Sequence, residues 1–134
     1  MIIVDSSVWI DYFNGSDTVQ TDKLDELLGV QLIGIGDIIL TEVLQGFRED
    51  KDYRTAKQVL TSLTVFNMLN IDLAIESANN FRTLRKQGIT IRKTNDVIIA
   101  TFCIKNNHSL LFSDKDFIPF VNYLGLSAVY SSPI

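Results

Sequence analysis

Four acidic residues in this sequence each follow or interrupt an apolar run, which is an unusual position for a charged side chain. They are Asp5, Glu42, Asp96 and Asp114. Carboxylate oxygens are the usual ligands of hard divalent cations, whereas zinc favours histidine and cysteine, of which this sequence has no cluster. Carboxylates gathered at one place repel one another, and a bound divalent cation relieves that repulsion. The four acids therefore predict a site for Mg²⁺ or Mn²⁺.

Asp96 stands near the start of a mostly apolar stretch, Thr94–Ile104, that predicts a helix. Its residues are hydrophobic on nearly every side, which indicates a helix buried in the protein. An aspartate in the first turn places a negative charge at the positive end of the helix dipole, close to the interior. Cys103 lies within the same helix, and we predict that its thiol is structural.

Asp5 and Asp114 each close a short apolar run that predicts a β-strand, Ile2–Val4 in the first case and Ser109–Phe112 in the second. Strands and helices alternate along the chain, which favours a parallel sheet covered on both faces. The carboxyl ends of parallel strands share one edge of the sheet, and ligands bind there. We therefore expect these two acids to lie at one edge.

Glu42 lies inside a largely apolar helix that the sequence predicts from Asp37 to Phe47. No basic residue stands three or four positions away, so its carboxylate needs a partner from elsewhere in the fold. We expect Glu42 and Asp96 to reach the sheet edge from the first turns of their helices. Asp37 also follows a strand, but helix capping explains its position and we leave it out of the site. A shared site explains the four acids better than four separate caps.

The remaining periodic stretches complete an alternating α/β chain, which we interpret as one domain over residues 1–134. They predict helices over Ser6–Gly15, Asp22–Leu28, Lys51–Leu63 and Ile71–Gln87, and strands over Gln31–Ile35, Thr64–Phe66 and Leu126–Tyr130. No linker, internal repeat or low-complexity segment interrupts this order.

The composition is typical of a soluble, cytoplasmic protein, and we expect no membrane partner. Cys103 is the only cysteine, so no disulfide can form within the chain, which fits a reduced compartment. No stretch approaches the roughly 20 apolar residues that a membrane span needs. His108, the only histidine, stands in a polar turn, where we predict a surface role rather than catalysis.

Basic residues are concentrated in one window of a chain whose net charge is −4. Residues 82–93 contain no acid and five bases: Arg82, Arg85, Lys86, Arg92 and Lys93. Charge alone favours a solvated helix face. The chain then returns directly to Asp96, however, so the window borders the predicted acidic site. Basic groups beside a metal site are the arrangement expected of an enzyme that holds phosphates, and we predict that these residues contact RNA.

Four short motifs occur together in an order and spacing that is more specific than any one of them. They are Val4–Trp9, Leu40–Gly46, Asn95–Ala100 and Asp114–Phe117. With these motifs, essentially the whole chain resembles a PIN-domain ribonuclease of the VapC toxin type. The resemblance implies a three-layer α/β/α sandwich with a central, mostly parallel sheet.

The resemblance also implies roles for particular residues. It implies that Asp5, Glu42, Asp96 and Asp114 hold Mg²⁺ or Mn²⁺ and are catalytic. Asp116 matches a more variable fifth acid, and Ser7 a small polar residue that orients the first aspartate. Phe112 departs from the pattern, because relatives often carry threonine two residues before the fourth acid.

The reaction implied by the resemblance is hydrolysis of an RNA phosphodiester that leaves a 5′-phosphate. The expected partners are an RNA substrate, a second copy of the chain in a homodimer, and a cognate VapB-like antitoxin whose tail covers the acidic site. The sequence alone does not identify which RNA is cleaved.

Other classes of protein also place acids at strand ends. A haloacid dehalogenase-type phosphatase needs a second aspartate two residues after Asp5, where this chain has Ser7. A phospho-accepting receiver domain needs a lone acceptor aspartate and a lysine after the last strand, and neither is evident. A catalytically silent RNA-binding or signalling α/β domain stays open. Magnesium-dependent RNA cleavage that EDTA abolishes would discriminate against it.

Overall fold

A five-stranded parallel sheet forms the centre of the protein, as seen in a computed structural model that describes residues 1–129. The strands are β1 (Ile2–Val4), β2 (Ile33–Gly36), β3 (Thr64–Phe66), β4 (Ser109–Leu111) and β5 (Ser127–Ala128). Their order is β3-β2-β1-β4-β5, and every neighbouring pair is parallel. The first strand of the chain is therefore the middle strand of the sheet. Its buried β-branched residues suit a strand covered on both faces.

Seven helices cover the sheet within residues 1–129. They are α1 (Ser6–Phe13), α2 (Val19–Leu27), α3 (Asp37–Leu44), α4 (Asp50–Thr61), α5 (Ile71–Lys86), α6 (Thr94–Lys105) and α7 (Ile118–Leu124). Right-handed crossovers place α1–α4, which connect β1 to β2 and β2 to β3, on one face, and α5–α7 on the other. The helices within each group pack against one another. This arrangement confirms the predicted three-layer α/β/α fold.

Helix α6 is the most deeply buried helix in the described part of the chain. Every residue from Asp96 to Cys103 is buried, which confirms the prediction of a helix that is apolar all round. Burial raises the pKa of the Cys103 thiol to about 12, as expected of an inert, protonated core residue. Over residues 1–129, no helix has both the length and the apolar surface needed to cross a membrane.

Several boundaries differ from the sequence prediction because side-chain periodicity does not show where a helix ends. Helix α3 ends at Leu44 rather than Phe47. The sequence prediction also missed the short 3₁₀ turn Lys115–Phe117 and α7, which has a proline in its first turn and ends at the left-handed Gly125. Strand β5 is two residues long, and Tyr130, predicted at its end, lies outside the described residues.

His108 does not have the simple surface position that its polar neighbours predict. It is half-buried between Phe66 and Phe102, with ring centroids 5.2 and 5.6 Å away. Burial lowers the pKa of this histidine, so the packed ring is neutral near pH 7. Because His108 precedes β4, it lies at the amino edge of the sheet, opposite the edge where Asp114 lies. The structure therefore also gives no support for a catalytic histidine.

Gly36 marks a position where the core leaves no room for a side chain. A Cβ atom built there would overlap the buried Met68 side chain, including its Cγ at 2.6 Å. We predict that Gly36→Ala lowers the free energy of unfolding by about 1–3 kcal/mol through overpacking. Gly46→Ala is the matched control, because its Cβ would meet only the Val43 carbonyl oxygen at 3.5 Å. Urea unfolding of both variants checks this, and equal midpoints would contradict the prediction.

Candidate metal centre

Asp5 is held by the backbone at the point where β1 passes into α1. Its amide N–H donates to the Leu111 carbonyl oxygen at 2.9 Å, which continues the pairing of β1 with β4. Its Oδ2 accepts from the Ser7 hydroxyl at 2.7 Å and from the Ser7 amide at 3.3 Å, so Asp5 caps α1. Its Oδ1 is buried and has no hydrogen-bond partner among residues 1–129. Capping therefore occupies one carboxylate oxygen and leaves the other free.

Asp96 lies in the first turn of α6, as predicted, and is only 4% exposed. Its Oδ2 is also buried without a hydrogen-bond partner in the described part of the chain. Burial, followed by repulsion from Asp5 and Asp114, raises the pKa of Asp96 to about 7, while Lys93 acts in the opposite direction. The fold thus holds this carboxylate where its charged form is disfavoured unless a cation is near.

Glu42 reaches the same region from the second turn of α3, not from the first turn as the sequence led us to expect. The helix begins at Asp37, so the carboxylate is one turn further along. Burial and then the charge of Asp5 raise the pKa of Glu42, whereas Ser6, Asn95 and Lys93 lower it. Its Oε1 is a third buried carboxylate oxygen without a partner among residues 1–129. The groups that lower the pKa of Glu42 therefore all lie outside its own helix.

Asp114 and Asp116 lie on the turn that follows β4. The Asp114 Oδ1 accepts a hydrogen bond of 2.9 Å from the Asp116 amide, which fixes the turn. One carboxylate oxygen from each of Asp96, Asp114 and Asp116 lies within 4.8 Å of the other two. The charge of Asp114 also acts on Asp5 and Asp96, so these acids share one electrostatic environment. The structure therefore brings the four predicted acids, together with Asp116, to the carboxyl edge of the sheet.

Two of the five predicted basic residues contact these acids directly. Lys93 Nζ lies 3.4 Å from Asp114 Oδ2, and Arg92 Nε lies 3.3 Å from Asp116 Oδ2. The charges of Asp96 and then Asp114 raise the pKa of Lys93. Exposed ion pairs of this kind contribute only about 0–1 kcal/mol to stability. Their main effect here is to bring positive charge to the rim of an acidic site.

The other three bases, Arg82, Arg85 and Lys86, lie on α5 and contact none of these acids. The Arg85 guanidinium carbon lies 5.5 Å from the centre of the Phe81 ring, over its face. The predicted basic residues therefore form two groups. Arg92 and Lys93 lie at the rim of the acids, and Arg82, Arg85 and Lys86 form a cluster on α5.

The Asp37 carboxylate accepts hydrogen bonds from backbone amides and is not part of the acidic site. Its Oδ1 accepts from the amides of Ile38 at 2.9 Å and Met68 at 3.1 Å, which ties the start of α3 to the segment after β3. Ser6 and Asn95, whose hydrogen bonds lower the pKa of Glu42, were not identified from the sequence. Their position directly beside Asp5 and Asp96 in the chain is the signal that could have indicated them.

The donor set fits a hard divalent cation. Buried carboxylate oxygens without partners are costly, and Asp5, Glu42 and Asp96 each present one. Oxygen-only ligands suit Mg²⁺ or Mn²⁺, which would satisfy these atoms and neutralise the repulsion together. Asp5, Glu42, Asp96 and Asp114 could hold such an ion, with Asp116 as a further ligand.

A parallel α/β/α fold whose acids meet at the carboxyl edge of the sheet defines an α/β domain with a candidate metal site. The PIN domain family matches residues 2–120, and the chain belongs to that family. It is 30% identical over 122 residues to the VapC ribonuclease Mb1587 of Mycobacterium bovis, covering 87% of this chain and 89% of the relative.

Two solved structures share the fold at lower sequence identity. VapBC2 from Rickettsia felis, bound to a DNA fragment from its promoter, matches with a TM-score of 0.73 and 19% identity, covering 96% of this chain and 98% of the other. A toxin–antitoxin complex from Klebsiella pneumoniae matches with a TM-score of 0.73 and 18% identity over 100% of both chains.

Asp96→Asn should separate a metal ligand from a structural carboxylate. Asparagine is nearly isosteric and tolerated at a helix start, so the variant loses mainly repulsion and should melt in EDTA at the wild-type temperature or above it. Mg²⁺ at about 100 times the dissociation constant should stabilise the wild type by about 2.7 kcal/mol and the variant by much less. Thermal melts with EDTA and with Mg²⁺ measure both effects.

The matched control for this experiment is Asp72→Asn, which changes an exposed aspartate in the first turn of α5. It should keep the full response to Mg²⁺. If Asp96→Asn lowered the melting temperature in EDTA and kept that response, Asp96 would be a structural cap.

The pKa of Asp96 also predicts how the metal-free protein responds to pH. The folded pKa of about 7 exceeds the ordinary value of 3.8, so the folded state keeps a proton that the unfolded state releases. Stability in EDTA should therefore fall as pH rises from about 4 to about 7 and then level off, by up to roughly 4 kcal/mol at 1.36 kcal/mol per pKa unit. Urea unfolding between pH 5 and pH 8.5 measures the slope. Asp96→Asn should flatten it, and an identical slope would refute this assignment.

Proposed function

We propose that this protein is a Mg²⁺- or Mn²⁺-dependent endoribonuclease, the toxin of a toxin–antitoxin pair acting in the cytoplasm. The observation that carries the proposal is a set of three buried carboxylate oxygens, on Asp5, Glu42 and Asp96, that have no hydrogen-bond partner among residues 1–129 although the charges of these acids act on one another. They lie at the ligand-binding edge of a PIN domain whose relative in Mycobacterium bovis is a VapC ribonuclease. We assign the catalytic role to these three acids and Asp114.

The protein's own groups would position the acids around the ion. Ser7 holds one oxygen of Asp5 and so orients the other toward the site. The Asp116 amide holds Asp114 in the same way. A divalent ion, when bound, lowers the pKa of a water molecule and stabilises negative charge on the phosphate. The burial of Asp5 and Asp96 excludes bulk water, which strengthens the charge interactions of these two carboxylates.

The basic residues give the site its affinity for an RNA backbone. Arg92 and Lys93 lie at the rim of the acids, where a phosphate entering the site would meet them. Arg82, Arg85 and Lys86 extend the positive surface along α5. Phosphate contacts of this kind release counterions, and they supply affinity that does not depend on sequence.

A homodimer is part of the proposal, and helix α5 offers a surface for it. Ile71 and Ile75 are 80% and 59% exposed, and Leu69, just before the helix, is 49% exposed. Leu69 also lines a cavity of about 500 Å³ between α5 and α6. Exposed apolar groups gathered in this way mark a surface that another protein covers.

A VapB-like antitoxin is the second proposed partner. Both solved structures described above contain an antitoxin, the VapBC2 pair and the Klebsiella complex. An antitoxin tail that covers the acidic edge would silence the nuclease.

Cleavage of RNA tests the enzymatic proposal directly. The purified protein should cleave unstructured RNA with Mg²⁺ or Mn²⁺ and leave 5′-phosphate ends, EDTA should abolish the reaction, and added Mg²⁺ should restore it. Asp96→Asn should reduce cleavage at least ~100-fold, because an amide is a poor ligand for a hard cation. Gel analysis and chemistry of the product ends measure these outcomes.

Asp72→Asn, prepared in parallel, should cleave at the wild-type rate, which would show that the loss in Asp96→Asn is specific to the acidic site. Loss of cleavage in Asp96→Asn purified by the same procedure would exclude a contaminating nuclease. Cleavage that survives EDTA, or Asp96→Asn at full activity, would refute the proposal. RNA binding without any cleavage would instead support a silent binding domain.

The basic cluster on α5 should contribute to RNA binding through charge alone. In an Asp96→Asn background, which prevents cleavage, Arg85→Ala with Lys86→Ala should weaken binding equally across sequences. The slope of log K against log salt should flatten by about 0.7 for each phosphate that the variant no longer neutralises. Fluorescence anisotropy at several salt concentrations measures both quantities.

The control pair is Arg54→Ala with Lys57→Ala, which removes the same two residue types from exposed positions on α4, in the opposite helical layer. It should leave affinity and slope unchanged. Equal behaviour of the two double variants would show that the α5 cluster is only a solvated face.

A further inference from the structure

A second cavity is lined by residues directly next to Asp114 in the chain. Its volume is about 300 Å³, and Ser113 and Lys115, the two chain neighbours of Asp114, both line it. We call it the side pocket, and its defining residues are Gln20, Phe112, Lys115, Ile118, Val121 and Asn122. Residues of α2 and α7, which belong to opposite layers, line it together at the carboxyl edge of the sheet. The side pocket is therefore adjacent to the candidate metal centre without sharing any of its acids.

One wall of the side pocket is apolar. Phe112, Ile118 and Val121 form it. The Phe112 ring packs against the fully buried Phe117, with ring centroids 5.3 Å apart, so it cannot swing away freely. A ring held in this way provides a face on which a flat, heteroaromatic ligand can stack.

The other wall carries polar groups with unused hydrogen-bonding capacity. Within residues 1–129, the carboxamides of Gln20 and Asn122 make no hydrogen bond to a protein group, although both line the cavity. A carboxamide both donates and accepts, so it can pair with the edge of a nucleobase. Lys115 is exposed at the rim and has no carboxylate within 4.0 Å in the described chain. Its ammonium is free to meet a backbone phosphate.

We infer that the side pocket binds one unpaired nucleobase of the RNA, next to the phosphodiester that is cleaved, and so selects the cleavage site. The inference rests on the proposed ribonuclease function. The volume is at the lower end of the range for small-ligand sites, roughly 300–1,000 Å³, and suits one base rather than several. Lys115 directly follows Asp114 in the chain, so a base in the side pocket would belong to a nucleotide close to the reacting phosphate.

Nucleobases in single-stranded RNA are recognised by stacking on an aromatic face and by hydrogen bonds to the base edge. The side pocket supplies the first through Phe112 and the second through Gln20 and Asn122. The basic surface on α5 and at the rim holds only the backbone, which is the same for every sequence. Sequence preference should therefore depend on the side pocket and not on the basic residues.

The first test maps cleavage sites in a pool of RNA with randomised sequence. The wild type should prefer one base at one position beside the cut. Gln20→Leu with Asn122→Leu should reduce that preference roughly tenfold or more, because the base edge loses its partners. The matched control, Gln31→Leu with Asn67→Leu, changes exposed residues that line neither the side pocket nor the cavity between α5 and α6, and it should keep the wild-type preference. An unchanged preference in the Gln20/Asn122 double variant would overturn the inference.

The second test measures base binding without any cleavage. Single-stranded oligonucleotides carrying 2-aminopurine at successive positions would be titrated into the full-length Asp96→Asn protein. One position should change its fluorescence on binding, and Gln20→Leu with Asn122→Leu should abolish that change while the salt dependence of binding stays the same. No position-dependent change, or one that persists in the double variant, would overturn the inference.

The two tests also separate the side pocket from the proposed function. If the wild type failed to cleave RNA but the fluorescence change still required Gln20 and Asn122, the nuclease proposal would fail and the pocket assignment would stand. If cleavage depended on Mg²⁺ but showed no base preference and no fluorescence change, the pocket assignment would fail and the nuclease would stand.

Discussion

The mutual repulsion of carboxylates held at one edge of a parallel sheet is the constraint on which the rest of this structure depends. The sheet itself enforces the proximity, because β1 and β4 pair with Val4 opposite Leu111. Asp5, the residue that follows β1, then donates its amide hydrogen to the Leu111 carbonyl oxygen. Backbone hydrogen bonds, which form regardless of the charge on the side chains, thus bring Asp5 near Asp114. The fold holds these acids together against their own electrostatics.

The protein offsets this repulsion only in part. Asp5 caps α1 and Asp96 lies in the first turn of α6, so both carboxylates lie at the positive ends of helix dipoles. Lys93 and Arg92 add positive charge from the segment that joins α5 to α6. The pKa of Asp96 is nevertheless raised to about 7, which shows that repulsion and burial exceed these contributions. Charged groups that lower the stability of the fold in this way are typical of functional sites.

Much of the fold and the four acids could be predicted because local patterns determine them. The β-branched triplet Ile2–Val4 ends at an acid, and Glu42 has no basic neighbour on its helix. Distances between elements could not be predicted in this way. The approach of Asp116 to Asp96 depends on a 3₁₀ turn, and the contact of Lys93 with Asp114 depends on the path from α5 to α6. The extent of the domain, residues 1–134, stays a prediction, as do the catalytic roles.

The position of β1 in the middle of the sheet has a consequence for how the protein is made on the ribosome. The strand that emerges first must wait for β4, which is formed by Ser109–Leu111, before its second edge is paired. Asp114 follows still later in the chain. Nascent chains that stop short of Asp114 contain α1–α6 but cannot assemble the complete acidic edge. The candidate metal centre is therefore completed only late in synthesis, after β4 has paired with β1 and Asp114 has followed it.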